Sequence, residues 1–150
     1  MKALQSLRTL LDHMPARLEA LPPDTVALKS PAHWSVKEEL GHLLDSAANN
    51  HQRIVRAQLE DNPAMPGYDG PHWVRLHAYQ KRDWHELIGL WEALNGQLLA
   101  AAEAVPDSAW SRTCTIAGSA PLTLQFVVED YMHHMRDHLR HMKVQVDDLL

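Results

Sequence analysis

Histidines are the residues of this chain whose type and spacing could do chemistry. His134, His138 and His141 follow one another near the C-terminus, and His42 lies far upstream. Successive side chains of an α-helix turn by about 100°, so the three C-terminal imidazoles fall within roughly 60° on one helix face. Two imidazoles four residues apart can bind one divalent ion, and a third ligand from another helix leaves a coordination position open. The spacing predicts a metal centre of the open, catalytic kind.

The residues alone do not decide which two of the C-terminal histidines are the metal ligands. His134 with His138 meets the metal-ligand spacing, but a shift of one turn to His138 with His141 is also compatible with one helix face. The chain has 11 histidines, and most scattered histidines are surface groups. His42 projects onto the polar flank of its own helix, where a lone histidine is usually solvated.

Two further residues are predicted to lie beside the ligands. Asp130 precedes His134 by one turn, so its carboxylate could accept the ring N–H that faces away from the metal, or could bind the metal directly. His141 follows His138 by one turn and is a spare ligand, a proton shuttle or a surface residue. We expect His141 to lie next to the ligands or at the surface, and an exposed helical acid is an equal alternative for Asp130.

The first half of the chain predicts two helices that could position His42. Apolar residues at steps of three and four run from Leu4 to Leu21, and Pro15 predicts either a kink or a restart near Asp12. Ser35 with Glu38 forms a capping box that begins the second helix. That helix is expected to continue until residues 62–63. Three prolines and two glycines then predict a loop over residues 62–72 that forms a lid or a rim.

The second half predicts two more helices. Trp84 to Ala101 repeats the three-four spacing, and Thr123 can cap a last helix that runs to about Val146 and carries the C-terminal histidines. Residues 112–116 have some strand character but no clear partner, so an extended crossover is expected there. The sequence therefore predicts an all-α protein, a four-helix bundle that builds its site from facing helices.

Composition restricts the class of protein. With 150 residues the chain fits a single domain over residues 1–150. A formal net charge of −5 provides no basic field for nucleic acid, and no run of 18 apolar residues predicts a membrane span. The N-terminus lacks the apolar core of a signal peptide, so the expected location is cytoplasmic. The single Cys114 has no neighbouring base and is interpreted as a passive thiol, and Trp34, Trp84 and Trp91 as packing residues.

Two segments of the sequence resemble a known family. They are Trp34-Ser-Val-Lys-Glu-Glu-Leu-Gly-His42-Leu-Leu-Asp-Ser46 and Tyr131-Met-His-His134-Met-Arg-Asp-His138-Leu-Arg-His141. The pattern is similar to the DinB/YfiT-like family of helical metalloproteins. The resemblance implies an antiparallel four-helix bundle with a long crossover connection, and metal ligands at His42, His134 and His138. It also implies a homodimer and, in several subfamilies, thiol S-transferases or isomerases that use a low-molecular-weight thiol.

The hypothesis from the sequence is a metal-dependent enzyme of the thiol S-transferase or hydrolase type. Three nitrogen ligands disfavour Mg²⁺ and Ca²⁺ and favour a divalent transition metal, zinc or nickel first, with iron or copper as further options. Such an ion would lower the pKa of a water or of a substrate thiol. One alternative is a non-catalytic bundle, a dimer that binds a metal or small ligand. Another is a structural network of histidines and carboxylates without metal.

Overall fold

Four long helices account for most of the chain in the computed structural model, which describes residues 1–149. The helices are α1 (Lys2–Glu19), α2 (Pro23–Ala27), α3 (Val36–Leu59), α4 (Gly70–His77), α5 (Trp84–Glu103) and α6 (Leu124–His141), and the strands are β1 (Ala64–Met65), β2 (Thr113–Ile116) and β3 (Leu122–Thr123). The long helices α1, α3, α5 and α6 correspond to the four that the apolar periodicity predicts. The predicted all-α, four-helix bundle is confirmed.

The packing order of the bundle places α3 beside α6. Helix α3 packs mainly on α5 and α6, and α1 packs on the same two helices from the other side. The chain therefore crosses the bundle between α1 and α3, through a connection that contains the short helix α2. Because α3 carries His42 and α6 carries the C-terminal histidines, this order brings the two ligand-bearing faces together.

Helix α1 continues through Pro15 from Lys2 to Glu19 and does not restart near Asp12. Proline removes one backbone hydrogen bond from a helix, which costs stability unless packing holds both sides. Here Leu10, Met14 and Leu18 are fully buried on either side of Pro15. Burial of this stripe against the bundle keeps the helix in one piece.

The start of α3 follows the predicted capping box. Ser35 Oγ accepts a hydrogen bond from the Glu38 backbone N–H at 3.2 Å, and Glu38 Oε2 accepts one from the Ser35 N–H at 2.8 Å. These contacts satisfy two backbone donors at the helix N-terminus. They also fix the helical phase of the residues that follow, including His42 two turns later.

Three details of the connections differ from the sequence prediction. Residues 62–72 are not loop throughout, because β1 lies within them and α4 begins at Gly70, where the side chain of Asp69 caps it. Residues 113–116 form β2, which pairs in parallel with β1 and antiparallel with β3. The expected crossover is thus a strand with two partners, both of them only two residues long and hard to recognise in the sequence.

Helix α6 ends at His141, not near Val146. Lys143 has a φ of 59°, a left-handed conformation that ends the helix. Val144 and Val146 then turn back and are buried against the bundle. Their burial outside the helix explains why a helical stripe could be traced too far along the sequence. Within residues 1–149, no helix is both long enough and apolar enough to cross a membrane.

Candidate metal centre

Imidazoles from α3 and α6 meet in the groove between the two helices. One nitrogen from each of His42, His134 and His138 lies within 4.8 Å of the others. Nε2 of His42 lies 3.0 Å from Nε2 of His134. A tetrahedral zinc with bonds of about 2.0–2.1 Å separates its nitrogen ligands by about 3.3 Å. The residues present therefore fit a divalent ion.

His42 is buried, although its projection predicted a solvated polar flank. It is only 8% exposed, and its ring lies 4.9 Å from the ring of Trp34. A Cβ built on Gly70 would come within 2.9 Å of Cε1 of His42, so the N-terminus of α4 covers the imidazole closely. The side chain is held by packing, because its buried Nδ1 has no hydrogen-bond partner among the described residues. Contacts with α6 and with the short helix α4, which the sequence did not predict, explain the difference.

The surroundings of His134 differ from the prediction for Asp130. Ser46 Oγ lies 3.4 Å from Nδ1 of His134, a long hydrogen bond from α3. Asp130 makes no side-chain hydrogen bond to His134, and its side chain is exposed on the wall of a small cavity that His134 shares. Of the alternatives predicted for Asp130, the structure shows the exposed helical acid, and Ser46 is the residue that contacts Nδ1 of His134.

Glu39 holds the third imidazole and was not among the predicted site residues. Its Oε2 lies 2.6 Å from Nδ1 of His138, with both side chains mostly buried. A carboxylate on the far ring nitrogen of a ligating histidine is a common arrangement in metal sites. His141 Nδ1 lies 3.8 Å from Glu39 Oε1, and Glu39, His138 and His141 form a second group at metal-binding spacing. His141 itself is exposed and does not approach His42.

Signals for Glu39 and Ser46 were present in the sequence. They lie three residues before and four residues after His42, on the same face of α3. Periodicity placed them with His42 on a polar flank, and the structure turns that flank toward α6. Polar residues one turn from a candidate ligand are therefore candidates for its hydrogen-bond partners.

The electrostatics of the centre keep two of the imidazoles neutral. Burial lowers the pKa of His42 to about 3, helped by the nearby His138 and His134. Burial also lowers the pKa of His134 to about 4, with His138 as the next cause. A metal ligand needs its lone pair, so neutral imidazoles at physiological pH are ready to coordinate without first losing a proton.

A cleft of about 700 Å³ opens beside the centre. Its walls include Trp34, Glu39, His141, Lys29 and Arg75, and it reaches the centre through Trp34 and Glu39 because the three ligand histidines do not line it. Trp34 is thus a wall of the site as well as a packing residue, and its ring lies 6.1 Å from that of His138. Cleft volumes of 300–1,000 Å³ are typical for small-molecule sites.

The remaining candidates behave as packing groups. Trp84 and Trp91 are buried in the core, as predicted, and Cys114 is fully buried. Burial raises the pKa of the Cys114 thiol, which makes the thiolate less available. Tyr79 packs its ring against Gly41, where a Cβ would lie 2.1 Å from the ring, and donates a hydrogen bond to the buried Asp45.

The fold and the site together define a helical-bundle protein with three histidines that could hold a metal ion. The chain belongs to the DinB superfamily, whose family profile matches residues 6–142. The resemblance drawn from the histidine pattern is therefore correct.

Curated relatives carry names that refer to metal-dependent chemistry. The chain is 28% identical over 108 residues to "Putative metal-dependent hydrolase OB0782" of Oceanobacillus iheyensis, and 26% identical over 109 residues to "Putative metal-dependent hydrolase YfiT" of Bacillus subtilis. Each match covers 72% of this chain, but only 62% and 61% of the respective relative. The chain thus spans less than two thirds of their lengths.

Solved structures share the fold at low sequence identity. YfiT from Bacillus subtilis, described as having an unusual four-helix bundle topology, superposes with a TM-score of 0.70 at 22% identity, covering 96% of this chain and 87% of that one. A mutant of mycothiol-dependent maleylpyruvate isomerase superposes with a TM-score of 0.76 at 14% identity, covering 99% of this chain and 64% of that one. These likenesses concern the fold.

Proposed function

We propose that this chain is a metal-dependent enzyme of the hydrolase type, in which His42, His134 and His138 hold a divalent transition metal. Three imidazole nitrogens accept zinc, nickel, iron or copper, and we propose zinc or nickel as the first choices. The names of the curated relatives, which refer to metal-dependent hydrolases, support this reaction class over others.

The observation that carries the proposal is the convergence of three imidazoles from two helices beside a substrate-sized cleft. A purely structural site would fill its fourth position with protein. In residues 1–149 the group at metal-binding spacing around His42 contains three histidines and no fourth ligand. One position would therefore face water or substrate.

Each residue of the centre has a definable task. A bound ion supplies Lewis-acid chemistry that lowers the pKa of a water or a thiol. Glu39 accepts the Nδ1–H of His138, which directs the Nε2 lone pair of that ring toward the other two imidazoles. Trp34 covers His42 and forms an apolar wall. His141 lies exposed at the rim of the cleft, with its Nδ1 3.8 Å from Oε1 of Glu39.

Thiol S-transfer is the second candidate function. Two features favour it: the cleft of about 700 Å³ has room for a thiol and an electrophile together, and the fold is shared with a mycothiol-dependent isomerase. The same centre would serve, because a thiol is activated by the same lowering of its pKa. A further alternative is a non-catalytic bundle that binds a metal for storage or sensing. Such a protein would bind the ion but turn over no substrate.

Metal content decides whether the three histidines are ligands. Protein purified without a nickel column is compared with a His138→Ala variant and a His141→Ala variant. The matched control removes a neighbouring exposed histidine that lies outside the group around His42. We expect about one ion per chain in wild type and in His141→Ala, and loss of the ion in His138→Ala. Equal metal content in wild type and both variants would show that the assignment of the three histidines as ligands is wrong.

Turnover decides between the functions. Hydrolysis of p-nitrophenyl acetate and conjugation of 1-chloro-2,4-dinitrobenzene with cysteine are measured before chelation, after chelation and after zinc is restored. Metal-dependent hydrolysis without conjugation supports the hydrolase. Conjugation without hydrolysis supports thiol transfer. A bound ion with neither activity supports the non-catalytic metal-binding bundle.

The assembly and location of the chain stay predictions. The homodimer is part of the proposal and is tested by sedimentation velocity of the metal-loaded protein. A low-molecular-weight thiol as partner, cytoplasmic location and the absence of nucleic-acid or membrane binding are carried forward from the sequence in the same way.

A further inference from the structure

A second and smaller cavity adjoins the metal centre on the side of His134. It has a volume of about 110 Å³, and its walls are predominantly polar: Ser46, Asn50, Arg53, Tyr68, Asp130, Tyr131 and His134. This space is large enough to admit water. A space of this size suits one small polar group of a ligand rather than a whole drug-sized molecule.

Arg53 brings a partly buried positive charge to this cavity. Within residues 1–149 its guanidinium forms no salt bridge, and its side-chain hydrogen bond runs from Nη1 to Asn50 Oδ1 at 3.2 Å. Burial lowers its pKa. Many other arginines of the chain pair with carboxylates: Arg8, Arg17, Arg56, Arg82, Arg112 and Arg140. A partly desolvated cation with no carboxylate within salt-bridge distance is costly, and an anionic ligand would offset part of that cost.

The guanidinium is held in place by its neighbours. Asn50 is 7% exposed, and its Nδ2 donates to the Ser46 carbonyl at 3.0 Å, which leaves its Oδ1 directed at Arg53. One N–H of the guanidinium is used, and its other four donors make no hydrogen bond within residues 1–149. Burial raises the pKa of Tyr68, so its hydroxyl keeps its proton and can donate to the same ligand.

Asp130 faces the same cavity with the opposite charge. Its exposed carboxylate, on α6, lies outside salt-bridge distance of Arg53 in the described part of the chain. It opposes an anion electrostatically. An acceptor group of a ligand would therefore lie at the Arg53 end, and removing the charge of Asp130 should strengthen anion binding.

We propose that this cavity is a carboxylate-binding subsite, in which the guanidinium of Arg53 and the hydroxyl of Tyr68 hold the carboxylate of a small substrate beside His134. A guanidinium fork matches a carboxylate through two parallel hydrogen bonds. That the bound carboxylate belongs to the substrate rests on the proposed metal-dependent function. The existence of the subsite does not, because none of its anion-binding donors is a metal ligand.

The larger cleft offers the competing location for an anion. Arg75 lines that cleft and contacts His72 Nδ1 through Nη2 at 3.3 Å. Lys29, in the same cleft, already pairs with Glu38. Arg75 is more exposed than Arg53, so water competes better for its donors. Arg75→Gln is therefore the matched control for Arg53→Gln.

The experiment is a titration with acetate followed by amide chemical shifts, on zinc-loaded and zinc-free protein. Because acetate can itself bind zinc, the zinc-free arm isolates the guanidinium. We expect saturable binding by wild type in both arms, weakened about tenfold or more in Arg53→Gln. Arg53→Lys should recover part of it, since it keeps the charge and loses the fork. Asp130→Asn should bind several-fold more tightly, and Arg75→Gln should match wild type.

Each contrary outcome overturns the subsite. The subsite is wrong if zinc-free wild type shows no saturable binding of acetate. It is also wrong if Arg53→Gln binds acetate as tightly as wild type, or if Arg75→Gln loses acetate binding instead. Melting temperatures and the Arg53→Lys variant separate lost binding from lost folding. Zinc content is measured in every sample. If the protein cannot be loaded with zinc but still binds acetate through Arg53, the subsite stands and the proposed metal-dependent enzyme is wrong.

Discussion

Oε2 of Glu39 lies 2.6 Å from Nδ1 of His138, and this contact joins α3 to α6 at the metal centre. The two side chains are only 12% and 16% exposed. A proton shared between them belongs on Nδ1 when the other ring nitrogen coordinates an ion. Glu39 therefore determines the tautomer and the orientation of His138.

Replacing Glu39 by Gln should weaken metal binding while leaving all three imidazoles in place. Loss of such a carboxylate typically costs about 10–100-fold in metal affinity. The measurement is a competitive zinc titration against a chromophoric chelator. Glu92→Gln, at an exposed position of α5, is the control and should bind zinc as wild type does. Equal affinities for Glu39→Gln and wild type would leave Glu39 with a structural role only.

The sequence could predict those parts of the molecule that depend on local, repeated signals. The apolar spacing predicted the four long helices, and Ser35 with Glu38 predicted the start of α3. The interval between His134 and His138 predicted that the two rings share a face. Each of these features follows from geometry within one helix, so one chain segment contains all the necessary information.

What the sequence could not predict depends on tertiary contacts. The burial of His42 comes from α4, whose eight residues begin with Gly70 and Pro71 in a stretch that resembles a loop. The pairing of Glu39 with His138 needs the packing of α3 on α6, which no periodicity within either helix specifies. The strand β2 is recognisable only once its two-residue partners are placed beside it.

Gly70→Ala should disturb the centre without touching a ligand. The added Cβ would lie 2.9 Å from Cε1 of His42, so the ring must move. Functional geometries tolerate displacements of about 0.5 Å, and we expect zinc affinity to fall on the order of tenfold. Gly89→Ala in α5 is the matched control, because its Cβ meets nothing within 4 Å. Unchanged zinc affinity in Gly70→Ala would mean that α4 moves to accommodate the added Cβ and that the His42 ring stays in place.

Metal removal should lower the melting temperature of the wild-type protein. A ligand that binds only the folded state at 100 times its dissociation constant stabilises it by about 2.7 kcal/mol, or roughly 5–10 °C for a chain of this size. Scanning calorimetry with zinc and with chelator measures the shift. In His42→Ala the curves recorded with zinc and with chelator should coincide, at a temperature that the lost packing of the imidazole lowers further. A chelator-insensitive wild type would favour the structural network of histidines and carboxylates.

The stability of the metal-free protein should fall as the pH is lowered from about 7 to 4. The pKa values of His42 and His134 are near 3 and 4 in the folded chain, against 6.5 for an ordinary histidine. Below pH 6.5 the unfolded chain therefore binds protons that the folded chain does not, so protonation favours unfolding. For His42 alone the loss of stability at pH 5 is on the order of 2 kcal/mol.

Urea unfolding between pH 4 and 8 measures how steeply the free energy of unfolding changes with pH. His42→Gln should flatten the slope, because glutamine does not titrate. Parallel slopes for His42→Gln and wild type would mean that the buried imidazole gains its proton within the folded protein.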